Sequence, residues 1–436
     1  MGSYFNFFIN YSHVRMKISS IQAQEILASG GYPTIEVIAT LEDGAQGRAS
    51  VPYGASAGTH EATVMTDGDM TRWNGKGMLR AIDNITQKIV PVVVGMDAYD
   101  QRKLDQEMIR LDGTPNKASL GGNAILAVSV AVANAAARSK KTELFAHIID
   151  TYQTGVSLHT LPQPMVVAIE GGKHADETTD LQEYCFSAVR KNTSVVENVR
   201  MIMETYHQLA KVLKENKLST NVGNEGAFAP NGIPSNEAPF GYMLEAIKRS
   251  GYKAGEEIGF SIDAAASEFY AAGKYDLKVE KRQLTAAELI AYYESWLAKY
   301  PIATIEDMLA EDDWENWTKL KVIADKYKVP LIGDDLTVTN VDRLQRAIDS
   351  NAISAILIKL NQIGTLTETV DCCMLANRHG LMTTTSHRGG GETNDATMVD
   401  VAVAVGSAFI KVGPTRGERV AKYNRLMEIE RIVNNK

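Results

Sequence analysis

Six uncharged runs in the second half of this chain, most of them apolar, each end in a charged residue or a histidine. GFSID ends at Asp263, IATIE at Glu306, PLIGD at Asp334, AILIK at Lys359, LMTTTSH at His387 and AFIK at Lys411. From Glu306 onward, successive ends lie 28, 25, 28 and 24 residues apart. That period fits one buried strand plus one covering helix per repeat, and such runs suit a sheet covered on both faces. The fold that repeats this unit is a parallel (β/α) barrel, in which the C-terminal ends of the strands open into one mouth. Residues far apart in the chain then converge.

The first part of the chain reads differently. KISSIQAQEIL is strand-like, and YPTIEVIATLEDGAQGRASVPYG holds two β-rich runs around EDG, a hairpin signal. VPYGASAGTHEATV follows, rich in small residues and expected to be a mobile loop. From about 80 to 148 the pattern is helical and includes the alanine-rich GGNAILAVSVAVANAAARSKK. Residues 16–152 therefore read as an α+β domain, TGVSLHTLPQP as a linker, and 153–436 as the barrel that carries the chemistry. A chain of 436 residues is too long for one simple core, which agrees with two domains. Residues 1–15 form an aromatic extension without the basic start, apolar run and cleavage site of a signal peptide.

Composition narrows the partners. A net charge of -8 disfavours nucleic acid as a ligand. Three cysteines, two of them adjacent, offer neither a disulfide framework nor a zinc pattern, so a reducing cytoplasm is the expected compartment. No apolar run approaches the roughly 20 residues of a membrane span.

At the barrel mouth Asp263, Glu306 and Asp334 would meet as a carboxylate cluster, with Lys359, His387 and Lys411 facing it across the opening. A lone acid at a strand end serves as readily to cap the next helix. Three acids after three consecutive strands cannot cap one another, and unpaired they repel. A hard divalent cation resolves the repulsion, and oxygen-only donors suit Mg2+ rather than Zn2+. Beside Lys411 and such a cation, the pKa of Lys359 is expected to fall, making it a general base near neutral pH. A base flanked by a metal and a second cation suits removal of a proton α to a carboxylate. Two earlier segments add to the site. GGKHADETTDLQEY supplies His174, Gln182 and Glu183, and NVGNEGAFAPN supplies Glu225. Either glutamate alone reads as a solvated loop acid. In this company one could protonate a leaving hydroxyl, which β-elimination requires.

Seven motifs carry a family likeness: GASAGTHEA, GGNAILAVS, IEDMLAEDDWENW, GDDLTVTN, LIKLNQIGTLTET, SHR and ERVAKYNRL. With them, residues 17 to 432 resemble the enolases, the phosphopyruvate hydratases. A Lys or His base beside one or two Mg2+ ions is the arrangement of the enolase superfamily, so the chemistry above is a match of pattern rather than a derivation. The resemblance implies an α/β protein: an N-terminal α+β domain followed by a modified TIM-type (β/α)8 barrel that starts with two antiparallel strands. It implies cytoplasmic, glycolytic dehydration of 2-phosphoglycerate to phosphoenolpyruvate, with two Mg2+ per active site. Asp263, Glu306 and Asp334 would hold the first ion, and Ser56 in the mobile loop would help bind the second. Lys359 would be the base and Glu225 the general acid, assisted by Glu183. His174, Gln182, His387 and Lys411 would contact substrate, and Arg388 its phosphate. Homo-oligomers, dimers or rings of dimers, are the implied assembly.

Several positions depart from the family pattern. Gly30 replaces an arginine, Glu170 an asparagine and Asn224 an aspartate, and Gly389-Gly390-Gly391 stands where a serine and one glycine are usual. The loop after Lys411 is one residue shorter. The glycine run is expected to loosen the phosphate loop. These changes leave open a paralogue that acts on a modified phosphoryl or phosphonate analogue. A third reading is a non-catalytic scaffold or surface receptor that binds plasminogen through its terminal Lys436. That reading should first lose Lys359, Glu225 and the metal carboxylates, and all are present.

Overall fold

The computed structural model describes residues 15–54, 58–176, 178–190 and 193–435. Ser56 and Lys436, and all but the last residue of the expected extension, lie outside the described residues.

The chain opens with an antiparallel meander of strands Ile18–Leu27, Pro33–Leu41 and Gln46–Ser50. The EDG segment makes the tight turn between the last two. Ile35, Val37, Ala39 and Leu41 alternate along the middle strand toward one face and are almost fully buried. The alanine-rich helix Gly122–Ser139 covers that face. Its small side chains let the two backbones meet. A Cβ on Gly47 would lie 2.1 Å from the carbonyl oxygen of Ala131 and from the nitrogen of Ala135. Any other residue there would push the helix off the sheet.

Eight strands then close a barrel: Gln163–Glu170, Glu183–Ala188, Ile258–Asp263, Ile302–Glu306, Leu331–Gly333, Ala355–Ile358, Met382–Ser386 and Phe409–Val412. The last pairs with the first in parallel. Only Glu183–Ala188 runs antiparallel to both neighbours. Its reversal puts its first residue, not its last, at the mouth. Alternation within a strand separates two apolar layers. Ala355 and Leu357 join an interior cluster with Ile332, whereas Ile356 and Ile358 join the large core under the surrounding helices. Helix Leu144–Tyr152 packs with that barrel core through Leu144, Phe145, Ile148 and Tyr152. All three cysteines are buried and free, and burial pushes their thiols up, so they are packing residues. No helix among the described residues is long and apolar enough to cross a membrane.

Candidate active site

The strand ends meet as the period demanded. Glu183, Asp263 and Glu306 stand side by side, because Glu183 pairs in register with Asp263 and Asp263 with Glu306. Glu170, at the end of the first barrel strand, pairs with Glu183 and extends the row. All four are buried. A single cation joins three of them. The ammonium of Lys411 lies 2.8 Å from Glu183, 2.9 Å from Asp263 and 2.8 Å from Glu306. Lys411 therefore sits among the carboxylates rather than across the mouth from them, which corrects the expected placement. Burial disfavours its charge, but Asp263, Glu183 and Glu306 outweigh it and hold the ammonium well above its ordinary pKa.

Lys359 projects from the end of Ala355–Ile358 and is paired with Asp334. Burial would lower its pKa, and Arg388 and Lys411 act in the same direction, yet Asp334 prevails and the pKa is raised. The expected fall is not found. Cations do lie around Lys359, but the nearest charge is the carboxylate of Asp334. The other Asp334 oxygen accepts a hydrogen bond from Gln362 at 2.8 Å.

Across the mouth, His174 Nδ1 lies 3.6 Å from Glu183 and 3.5 Å from Glu225. His387 Nε2 is 3.3 Å from the same Glu225 oxygen, and its Nδ1 is 3.4 Å from Glu392. Burial favours neutral imidazole, but Glu225 and Glu392 raise the His387 pKa. Burial likewise opposes ionisation of Glu225, but His387 and His174 lower its pKa. Glu183 is different: burial, with Glu225 beside it, pushes its carboxyl up to about 8. Burial and Glu225 thus favour the protonated form of Glu183, whereas His387 and His174 favour the ionised form of Glu225. Gln182 lines the same pocket as Lys359, His174, Glu225, His387 and Arg388.

Arg388 donates to Glu61 at 2.9 Å. Glu61, Glu392, Asp307 and Asp335 were missed from the sequence. Asp307 accepts the N–H groups of Asp334 and Asp335 at 2.9 and 2.7 Å and so orients both. Burial pushes Asp335 up to about 8, with Asp334 contributing. The GDD doublet and the E-T pair after the glycines were the available signals.

The glycine run is packed rather than loose. Gly390 and Gly391 pair antiparallel with Gly54 and Tyr53. A Cβ on Gly389 would come within 2.4 Å of Glu225 Oε1 and 3.0 Å of the His174 ring. The expected loosening is corrected on that ground.

The donors fit a hard divalent cation, since carboxylates outnumber the two ammonium groups and the oxygens are buried. Among the described residues, the groups whose ligand atoms all lie within 4.8 Å of one another are Asp307, Asp334 and Asp335; His174, Glu183 and Glu225; and the more exposed His60, Glu311 and Asp312. Asp263 and Glu306 are instead tied together by Lys411.

Comparison with known proteins decides the family. The enolase N-terminal domain matches residues 18–148, and the enolase C-terminal TIM barrel domain matches residues 158–436. The chain belongs to the enolase family. It is similar to the enolase of Acidothermus cellulolyticus, at 49% identity over 414 residues that span 95% of this chain and 94% of the relative. As an enolase it is a phosphopyruvate hydratase, a lyase that dehydrates 2-phosphoglycerate.

Proposed function

We propose that Lys359 takes the α-proton of 2-phosphoglycerate and that Glu183, His174 and Glu225 deliver a proton to the departing hydroxyl. The observation that carries this reading is their opposition. In the closed barrel, three strands separate the strand before Lys359 from that of Glu183 in either direction. Both residues line one pocket. A substrate held between them presents its α-hydrogen to an amine on one side and its hydroxyl to a carboxyl on the other. The C–H electron pair passes into the substrate's carboxylate. It then forms the new double bond as the C–O bond breaks and water leaves.

Asp263, Glu306 and Asp334 would hold one Mg2+, and Ser56 would help hold a second. An ion held there would supply positive charge that stabilises the carbanion's carboxylate, and Asp334, serving as its ligand, would hold the proton of Lys359 less tightly. Lys411 adds a fixed cation beside the same carboxylate, and its three acidic neighbours keep it charged. Arg388, with Gln182 and His387, would hold the phosphate end. The likeness to enolases supports a homo-oligomer in the cytoplasm.

Lys359→Ala should abolish exchange of the substrate α-proton with solvent deuterium while Mg2+ still raises the melting temperature. Exchange near the wild-type rate would show that another group is the base. Turnover of a phosphonate analogue, with none of 2-phosphoglycerate, would favour the altered-substrate reading instead.

A further inference from the structure

We propose that Glu170 and Arg416 position Glu225 by gripping its loop from opposite sides, a role that rests on the reading of Glu225 as part of the proton-delivering group. Glu225 sits in a turn, outside any helix or strand, so nothing periodic fixes its backbone. Its direction is set by hydrogen bonds from elsewhere in the fold. On one side, Glu170 Oε2 accepts the N–H of Glu225 and Oε1 accepts the N–H of Ala227, both at 2.9 Å. On the other, Arg416 donates to the carbonyl oxygens of Gly223 and Asn224 at 2.8 and 3.3 Å. Arg419 adds a bond to Asn224 at 2.9 Å, and the Thr415 hydroxyl one to Gly226 at 2.7 Å.

When ionised, Glu170 is an anion that holds N–H groups, while cations hold carbonyls of the same short turn. Charge-assisted bonds of this kind are the stronger class, and opposed bonds resist rotation of the peptides that flank Glu225. The chemistry of Glu170 matches its place. Two N–H groups on one side need two acceptors, which a carboxylate supplies. A side-chain amide supplies one acceptor and turns an NH2 toward the other N–H. Glu170 is fully buried, so no water can make up a lost bond. Arg416 adopts φ 72°, a left-handed backbone uncommon for a residue with a side chain, at the start of helix Gly417–Asn434. From there its guanidinium reaches the turn. Neither residue is assigned contact with substrate. Both act through Glu225.

The test compares E170Q, R416Q and E225Q with the wild-type full chain, using 2-phosphoglycerate and Mg2+. Two rates are followed, α-proton exchange in deuterated buffer and formation of phosphoenolpyruvate. At about pH 9, Glu170, whose carboxyl burial pushes up to about 8, is ionised. E170Q should slow dehydration about tenfold or more while exchange and KM stay within about twofold. R416Q should shift the ratio of the two rates the same way, by about threefold. A wild-type ratio in both variants overturns the proposal, and so does an equal fall of both rates, which marks a merely structural role. A shift in E170Q alone overturns the part given to Arg416. Should E170Q fail to fold, R416Q decides alone, because its side chain is exposed. E225Q separates the two levels. An unchanged ratio there overturns the acid reading itself, whereas a shift there with none in E170Q and R416Q overturns only the grip.

Discussion

At the level of single residues, the site works by pairing charges that the chain order keeps far apart. Lys359 answers Asp334, Lys411 answers three acids, and His387 answers Glu225 and Glu392. At Lys359 the adjacent Asp334 outweighs both burial and the nearby cations, whereas at Lys411 three acids together do so. Immediate neighbours also limit space. Replacing Gly389 with Ser and deleting one following glycine looks from the sequence like a repair, the serine returning a hydroxyl to the phosphate loop. The structure leaves no room for it, because the new Cβ would meet Glu225 Oε1 at 2.4 Å. Gly389→Ser is therefore expected to lower kcat for dehydration by about tenfold or more through displacement of Glu225, with less effect on KM. Steady-state kinetics on 2-phosphoglycerate check this, and a lowered KM at unchanged kcat would reinstate the repair.

Among the elements, helix Leu144–Tyr152 shows how burial outside the site sets a pH response. His147 is buried in it, and burial, with Lys140 nearby, holds its pKa down to about 4, against an ordinary 6.5. The folded state keeps the imidazole neutral while the unfolded chain takes up a proton. The sign follows from the depressed pKa: the stabilisation is full above about 6.5 and is lost as pH falls from there to about 4, roughly 3 kcal/mol in all. His147→Gln cannot titrate, so its melting temperature should fall less than the wild type's across that window. Parallel curves would mean that His147 does not carry the acid sensitivity. The Gly122–Ser139 helix teaches a related lesson. Its alanines are a steric requirement of the strand beneath, which the sequence displayed as composition without showing the contact.

For the whole molecule, closure of the barrel is the decisive event, because it gathers carboxylates in excess of cations into one buried mouth. A bound divalent cation should therefore stabilise the fold by mass action, about 2.7 kcal/mol at 100 times its Kd. Mg2+ is expected to raise the melting temperature of the wild type, and Asp263→Asn, Glu306→Gln and Asp334→Asn should each shrink that rise. Equal shifts in the wild type and all three variants, measured by calorimetry, would overturn the proposal that these residues hold the metal.

The ends of the barrel strands were legible in the chain. Asp263 and Glu306 are the last residues of their strands, and Asp334 and Lys359 each follow theirs by one. The cause is local: a strand buried on both faces carries no unpaired charge along its length, so the charged residue at its end marks the mouth. The N-terminal hairpin was legible for the same kind of reason, a turn signal between two β-rich runs. Who pairs with whom was not. The placement of Lys411 among the acids, the hold of Asp334 on Lys359 and the hydrogen bonds donated by the Glu225 turn to Glu170 all join residues distant in the chain. So does the packing of Gly389 against Glu225. Such pairings depend on register between strands and on sub-ångström distances in a desolvated space. Residue type and spacing carry neither, and only the closed tertiary structure settles them.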